Sequence, residues 1–401
     1  MSYRLFYSLR LVQQHIIKKN DSRYKELHDL CYKSKNLYNA SLYAVRQYYF
    51  ENKKYLPYVQ LDSIFKNESN PDYRSLPTQT AQQTMRLVDH NFKSFFKTLK
   101  LPGKHRIPNY LDKDGVQVTY FTGQQVRKKD LKDGFISLPG LECKFKTSLN
   151  NINQVRFIPK PNYIVMEVVY TVKEKDLKSN NDRYAAIDIG IDNLATLIFN
   201  IDERPILING KPVKSINQYY NKKKAEYQSI KATNKSRKLT LKRNNKIKDY
   251  FHKSSRFIVN QLVSHDFNTL IIGYNKGWKQ DTKMGTMNNQ SFTSISHLQF
   301  INMIKYKCQL EGINVILREE SWTSKASALD NDYIPDLKVK DPIFSGSRIK
   351  RGLYQSKNYL INADVNGSFN ILRKEVGDVL EFNLLSPTDR GLVFSPYRIS
   401  F

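Results

Sequence analysis

Three acidic positions interrupt otherwise apolar stretches, where a carboxylate either does chemistry or carries a cost. Asp188 sits inside AAIDIGI, a run that reads as a buried strand. An ionised carboxylate there needs a partner, most simply a cation. Asp364, in INADVNGSFNILRK, falls at the start of a helix whose Phe369, Ile371 and Leu372 face a core. Taken alone it reads as a helix N-cap, a role Asp fills well. Glu319 and Glu320 end the strand NVILREE. Successive strand residues face opposite sides, so only one of the two can point with Asp188; alone, each reads as a solvated strand end. Together the carboxylates have the composition of a two-metal phosphodiesterase site, which holds divalent ions about 3.5–4 Å apart. One ion there positions the attacking hydroxide and the other stabilises the leaving oxygen. Hard oxygen donors select Mg2+ or Mn2+ over zinc, and no His or Cys cluster competes for the role.

The second half of the chain supplies the elements that must position these groups. Apolar runs at 184–191, 194–199 and 205–208 are short consecutive strands. A helical region follows at about 215–264, then a strand at 269–274, a helix at 296–311, a strand at 313–320 and a last helix from near 363. Three antiparallel strands followed by alternating helix and strand describe the ribonuclease-H-like α/β arrangement.

The first half reads differently. Residues 2–12 alternate as a strand, and 22–51 carry a helical pattern. A second helix opens after Pro77 and runs to about Lys100, with Met85, Val88, Phe92, Phe95 and Leu99 on one apolar face. Its solvent face carries Gln79, Gln82, Gln83, Arg86, Lys93 and Lys97, donors suited to base edges and phosphates. Residues 101–115 are loop-like, and β-like runs follow at 116–123, 134–140, 153–160 and 163–172. Their spacing predicts a small antiparallel barrel closed by the N-terminal strand. Tyr120, Thr122 and Gln124 alternate along one run and are expected to share a face. The polar stretch 174–183 reads as a linker.

Composition narrows the class. A chain of 401 residues predicts two or three domains. Its 65 Lys+Arg against 37 Asp+Glu give +28, with an isoelectric point near 9.7. Charge that lopsided points to a polyanionic partner, nucleic acid before an anionic lipid surface. Between Asn217 and Arg256 the net charge is +11, more than a third of the excess. That stretch includes Lys222, Lys223, Lys224, Lys242 and Arg243, with Tyr219, Tyr220, Tyr227 and Tyr250 interspersed. Solvated helices normally mix signs, so this density favours phosphate contacts. Cys31, Cys143 and Cys308 build neither a disulfide framework nor a metal-ligand spacing. MSYRLFYSLR has no apolar leader pattern and no run of 18 apolar residues occurs. Secreted, membrane-spanning and disulfide-rich classes are excluded on this reading.

AAIDIGIDNLATLIFN resembles the first RuvC motif of the TnpB family of transposon-encoded RNA-guided nucleases, relatives of the type V CRISPR effectors and of Fanzor proteins. ESWTSKAS (320–327) resembles that family's Thr-Ser segment and NADVNGSFNI (362–371) its third RuvC motif. HKSSRFIV (252–259), LIIGYNKGWKQ (270–280) and NNQSF (288–292) resemble one TnpB branch. TAQQTMRLVDHNFKSFF and GKHRIPNYLDKDG resemble the family's recognition helix and the loop after it. The likeness spans nearly the whole chain and is strongest over 183–373.

Two departures stand out. The family's usual second-motif glutamate is replaced here by Gly273. In the branch this chain resembles, a glutamate just before the Thr-Ser segment serves instead, which implies Glu320, with Glu319 as the alternative if the register differs by one. The zinc finger of many relatives also lacks its ligands, because 321–361 contains no Cys and no His, so no zinc is expected. That segment carries Lys325, Lys338, Lys340, Arg348, Lys350, Arg351 and Lys357, which suits a basic lid over a nucleic-acid strand.

The resemblance implies a RuvC-like nuclease domain at 183–378 with 321–361 as a basic loop insertion and 379–401 as a tail. It implies a β-barrel wedge domain formed by 1–15 and 101–180, with a helical recognition domain at 16–100 inserted. The implied catalytic and Mg2+ ligands are Asp188, Glu320 and Asp364. The implied partners are a guide RNA from the transposon end, held partly by 217–256, and a double-stranded DNA target. The adjacent DNA motif would be read by Gln79, Gln82, Gln83, Tyr120, Thr122 and Gln124. The expected setting is the cytoplasm of a prokaryotic host, nucleoid-associated, with one protein copy per ribonucleoprotein and no membrane. Two other functions stay open at this stage: a nuclease-dead guided repressor and a guide-free transposase or resolvase-like nuclease.

Overall fold

The computed structural model describes residues 8–201, 203–275, 295–335, 339, 341–377 and 394–401. The chain divides into two units, Met1–Lys173 and Glu174–Phe401.

In chain order the first unit contains β1 (Ser8–Lys18), α1 (Tyr24–Asn52), α2 (Tyr58–Asn67), α3 (Pro71–Arg74), α4 (Thr78–Thr98), β2 (Thr119–Thr122), α5 (Lys128–Lys132), β3 (Phe135–Ile136), β4 (Phe145–Lys146), β5 (Gln154–Lys160) and β6 (Tyr163–Lys173). Four of the strands form an antiparallel sheet in the order β1-β6-β5-β2, and β3 pairs with β4 separately. The N-terminal strand does join the later ones, with Ser8 opposite Lys173 and Lys18 opposite Tyr163, but β1 and β2 stay the two edges, so among the described residues the expected barrel is an open sheet. The part of the expected strand before Ser8 lies outside the described residues. Leu27, Leu37, Phe92, Phe121 and Phe157 meet in one core, so the apolar stripes of α1 and α4 close on the sheet as well as on each other. Full burial of such side chains stabilises by about 1.5–3 kcal/mol each. The helices α2 and α3 escaped the sequence reading because their apolar spans are short; Asn70 caps α3 by accepting from the Tyr73 N–H.

The second unit contains β7 (Tyr184–Asp188), β8 (Asn193–Phe199), β9 (Ile206–Asn209), α6 (Lys211–Ser229), α7 (Thr233–Ser264), β10 (Thr269–Gly273), α8 (His297–Leu310), β11 (Asn314–Arg318), β12 (Ser347–Lys350), β13 (Leu353–Gln355), β14 (Leu360–Asn362), α9 (Ala363–Val376) and β15 (Tyr397–Ile399). Its main sheet runs β11-β10-β7-β8-β9-β15. β7, β10 and β11 are mutually parallel, while β8 is antiparallel to both β7 and β9. That order and those directions are the ribonuclease-H-like arrangement.

Strand alternation assigns the two faces. Ala185, Ile187, Leu270 and Ile272 pack with Phe251, Ile258 and Phe300 of α7 and α8. Ala186, Ile198 and Ile271 pack with Val365, Phe369 and Ile371 of α9. β8 is buried along its whole length because both faces are covered. Asp188 shares the parity of Ala186 and Gly273 that of Ile271, so both belong to the α9 side.

Two expectations are corrected here. The 321–361 segment is not simply a loop, because 347–362 form a three-stranded antiparallel sheet, β12-β13-β14. Within it Lys338 and Lys340 lie outside the described residues, as do 276–280, NNQSF and most of the tail. The end of the expected tail is also structured, since β15 adds a parallel edge strand to β9.

Candidate active site

The parallel strands β7 and β10 end side by side. Ile187 pairs with Ile272, and one residue further on stand Asp188 and Gly273. The carboxyl ends of parallel strands are where open α/β sheets gather ligands. A Cβ on Gly273 would lie 2.6 Å from Glu320 Oε2 and 2.5 Å from Ile371 Cδ1, so Gly273 leaves room that the Glu320 carboxylate enters. Asn275 fixes this arm reciprocally: its side chain donates to Glu320 Oε1 at 3.4 Å and accepts from the Glu320 N–H at 3.2 Å.

Asp188 faces α9 at Gly367, where a Cβ would lie 3.1 Å from Asp188 Oδ2. Asp364 sits one helical turn before Gly367, and Ile371 one turn after it. The three carboxylates are thus arrayed along one stripe of α9. Asp364 accepts from Asn193 Nδ2 at 2.7 Å and from the Arg348 guanidinium at 3.0 Å. It is not the N-cap: Asn362 is, accepting from the Asp364 and Val365 N–H groups. Burial, and then the Asp364 charge, push the Asp188 carboxyl up to about 7, against the opposing pull of Arg348 and the Ile189 N–H.

Glu319 turns elsewhere. It pairs with Lys374 Nζ at 2.6 Å and accepts from the Ser321 hydroxyl. Although burial alone would raise it, Lys374 and Ser321 hold Glu319 below the usual carboxylate range.

Among the described residues no group of three or more His, Cys, Asp or Glu side chains is drawn together closely enough to ligate a metal ion. The donor set nevertheless fits a divalent cation in kind, because the oxygens are hard and the Asp188–Asp364 repulsion is what a cation relieves.

The basic helices carry the predicted cations on partly exposed faces. Lys222 and Lys242 are exposed, Lys224 and Arg243 partly so. Lys223 is paired with Glu226 at 2.7 Å. Arg243 donates to Asn217 at 2.8 Å and lies 5.4 Å from the Tyr220 ring. Lys325 is exposed and lies 4.9 Å from the Trp322 ring centre.

In the first unit, Thr122 Oγ1 donates to Gln79 Oε1 at 2.6 Å, so the start of α4 and the end of β2 are joined. Gln82 reaches Asp62 at 3.5 Å and Gln83 is partly buried. Tyr120 and Thr122 are the partly exposed pair of β2. Gln124 does not continue their alternation, which corrects the sequence expectation. Gln125 and Thr122 form a capping box that turns 123–125 into a 3-10 helix, leaving Gln124 exposed on the turn.

Residues 167–279 match the family profile OrfB_IS605, described as probable transposase, and residues 297–371 match Cas12f1-like, TNB domain. The TnpB-like protein MJ0751 of Methanocaldococcus jannaschii is 28% identical over 235 residues, covering 54% of this chain and 77% of the relative. These matches make the chain similar to TnpB proteins over 167–279 and 297–371. Among solved structures, a Cas12f1–sgRNA–target DNA complex has 13% identity and a TM-score of 0.36, covering 90% of this chain and 98% of that one. A CRISPR-Cas12f ternary complex has 15% identity and a TM-score of 0.33, covering 86% and 80%. Likenesses that loose position no residue.

Three polar residues of these motifs escaped the sequence reading. Asn366 Nδ2 donates to Ala326 O at 2.8 Å, Asn370 Nδ2 donates to Thr323 O at 2.9 Å, and both side chains are fully buried. They fasten the Thr-Ser segment to α9 and with it the arm that carries Glu320. Asn193, 6% exposed, orients Asp364. The available signal was polarity inside an apolar motif, the same signal that picked out Asp188.

Proposed function

We propose that the chain is an RNA-guided DNA endonuclease of a transposable element. The observation that supports this most is the Glu320 carboxylate over Gly273, at the strand ends where Asp188 also stands and against the helix that carries Asp364. Asp188, Glu320 and Asp364 would hold Mg2+ or Mn2+, and a bound divalent cation supplies Lewis acidity toward the scissile phosphate. Asn193 fixes the Asp364 carboxylate, while Gly367 leaves space for that of Asp188. Arg348 offsets the local negative charge. A glycine at 273 in place of a glutamate would by itself favour a nuclease-dead protein, and the neighbouring Glu320 favours the active reading instead.

In this reading a guide RNA from the transposon end lies against the basic helices α6 and α7, and pairing with double-stranded DNA supplies sequence specificity. The protein works as a monomer in its ribonucleoprotein, in the cytoplasm of a prokaryotic host. Zinc has no part, since 321–361 has no Cys or His. Among the described residues no helix is long and apolar enough to cross a membrane. The test is to sequence RNA that copurifies with the protein and to incubate the complex in Mg2+ with plasmids that carry or lack a matching stretch. Cutting of the matched plasmid alone is expected; equal cutting of both, or a complex without RNA, contradicts the reading.

A further inference from the structure

Between α6 and α7 lies a cavity of about 330 Å³. That is at the small end of ligand pockets, about 300–1,000 Å³, a size for one nucleotide and not for a duplex. Ile216, Tyr219 and Tyr220 line it from α6, and Lys242, Arg243 and Lys246 from α7; no acid lines it among the described residues. Tyr219 is 59% exposed, an aromatic face left open beside three cations. Tyr220 is held in place, its hydroxyl 3.2 Å from Thr240 Oγ1 and its ring 5.5 Å from Lys224 and 5.4 Å from Arg243. Asn217 and Asn244 accept from Arg243 at 2.8 and 3.0 Å and fix its guanidinium. Lys242 and Lys246 are one helical turn apart and exposed, so both ammonium groups can serve one phosphate.

A surface that only tracks a phosphate backbone needs cations, not a concavity with an open ring. Bases in a duplex are stacked on one another and offer no face to a tyrosine, whereas an unpaired base does. We propose that this cavity is a binding site for one unpaired nucleotide, its base against Tyr219 and its phosphate on Lys242 and Lys246. The proposal deepens the nucleic-acid-guided reading and rests on it.

The test titrates the full chain with a dodecameric oligouridylate, the same strand made abasic, an oligothymidylate and a duplex RNA. Tyr219→Ala should weaken oligouridylate binding about tenfold, within the range of base–aromatic stacking, and leave the abasic strand and duplex unchanged. Tyr219→Phe should bind as wild type. Lys242→Ala with Lys246→Ala should weaken every ligand. A loss confined to oligouridylate assigns the site to RNA, and one confined to oligothymidylate assigns it to a DNA strand; either sustains the pocket. Unchanged affinity in Tyr219→Ala, or an equal loss on the abasic strand, overturns it. Failure of the guided reading looks different: no RNA copurifies, yet the Tyr219 dependence on oligonucleotides persists.

Discussion

Glu320 holds a carboxylate oxygen 2.6 Å from where a Cβ on Gly273 would stand, so the two positions compete for one space at the end of β10. A glutamate rooted in either strand end can reach it, but not both at once. Gly273→Ala should therefore slow plasmid cleavage, by about a hundredfold if the carboxylate is displaced by ~1 Å. Glu320→Gln should abolish cleavage and Glu319→Gln should keep it, since Glu319 serves Lys374. The double change Gly273→Glu with Glu320→Gly should recover measurable activity. Cleavage lost in Glu319→Gln and kept in Glu320→Gln would reverse the assignment.

Asp188 predicts a pH dependence. Its carboxyl is raised to about 7 by burial and by Asp364. Between about pH 4 and 7 the folded chain retains a proton that the unfolded chain has lost. Stability without metal therefore falls as pH rises through that window and is level above it. Thermal melts in chelator from acid to neutral pH should show this slope in the wild type and a shallower one in Asp188→Asn. Mg2+ at pH 8 should raise the wild-type melting temperature more than that of the variant. Identical slopes would remove Asp188 from the account.

The sheet was legible because each buried strand announces itself as a short apolar run, and Asp188 because it breaks one. The cap at Asn362 was not, since Asp364 is an equally good capping residue and only the backbone decides which side chain accepts the N–H groups. The fate of Glu319 and Glu320 depended on strand register and on Lys374, a partner 55 residues away. The sheet at 347–362 was hidden because its strands are three or four residues long and β12 is exposed throughout. Gln124 was misassigned because alternation in sequence continues past the point where the capping box ends the strand.

The basic helices should make binding of guide RNA strongly salt-dependent. Neutralising Lys222, Lys223, Lys224, Lys242 and Arg243 together should weaken binding for all RNA sequences and flatten the salt slope by a few units at most. Filter binding across a salt series measures it. An unchanged slope would make the stretch an ordinary solvated surface.

Reading of the DNA motif should fall to the first unit. Gln124 is exposed, and Gln79 is tied to Thr122, so Gln124→Ala should relax one flanking position by about 1–3 kcal/mol of discrimination. Gln82→Ala should leave the motif unchanged, because that side chain is turned to Asp62. A randomised flank library cut by each variant reads this directly, and a wild-type motif in the Gln124, Gln79 and Gln83 variants alike would move recognition elsewhere.

The most direct test of the account separates guided binding from cutting at one carboxylate. Wild type and Asp188→Ala, each loaded with the same copurified RNA, are given matched and unmatched DNA in Mg2+, and both retention and cleavage are measured. The account predicts equal retention of the matched DNA by both proteins and cleavage by the wild type alone. Cleavage by Asp188→Ala at the wild-type rate would contradict it.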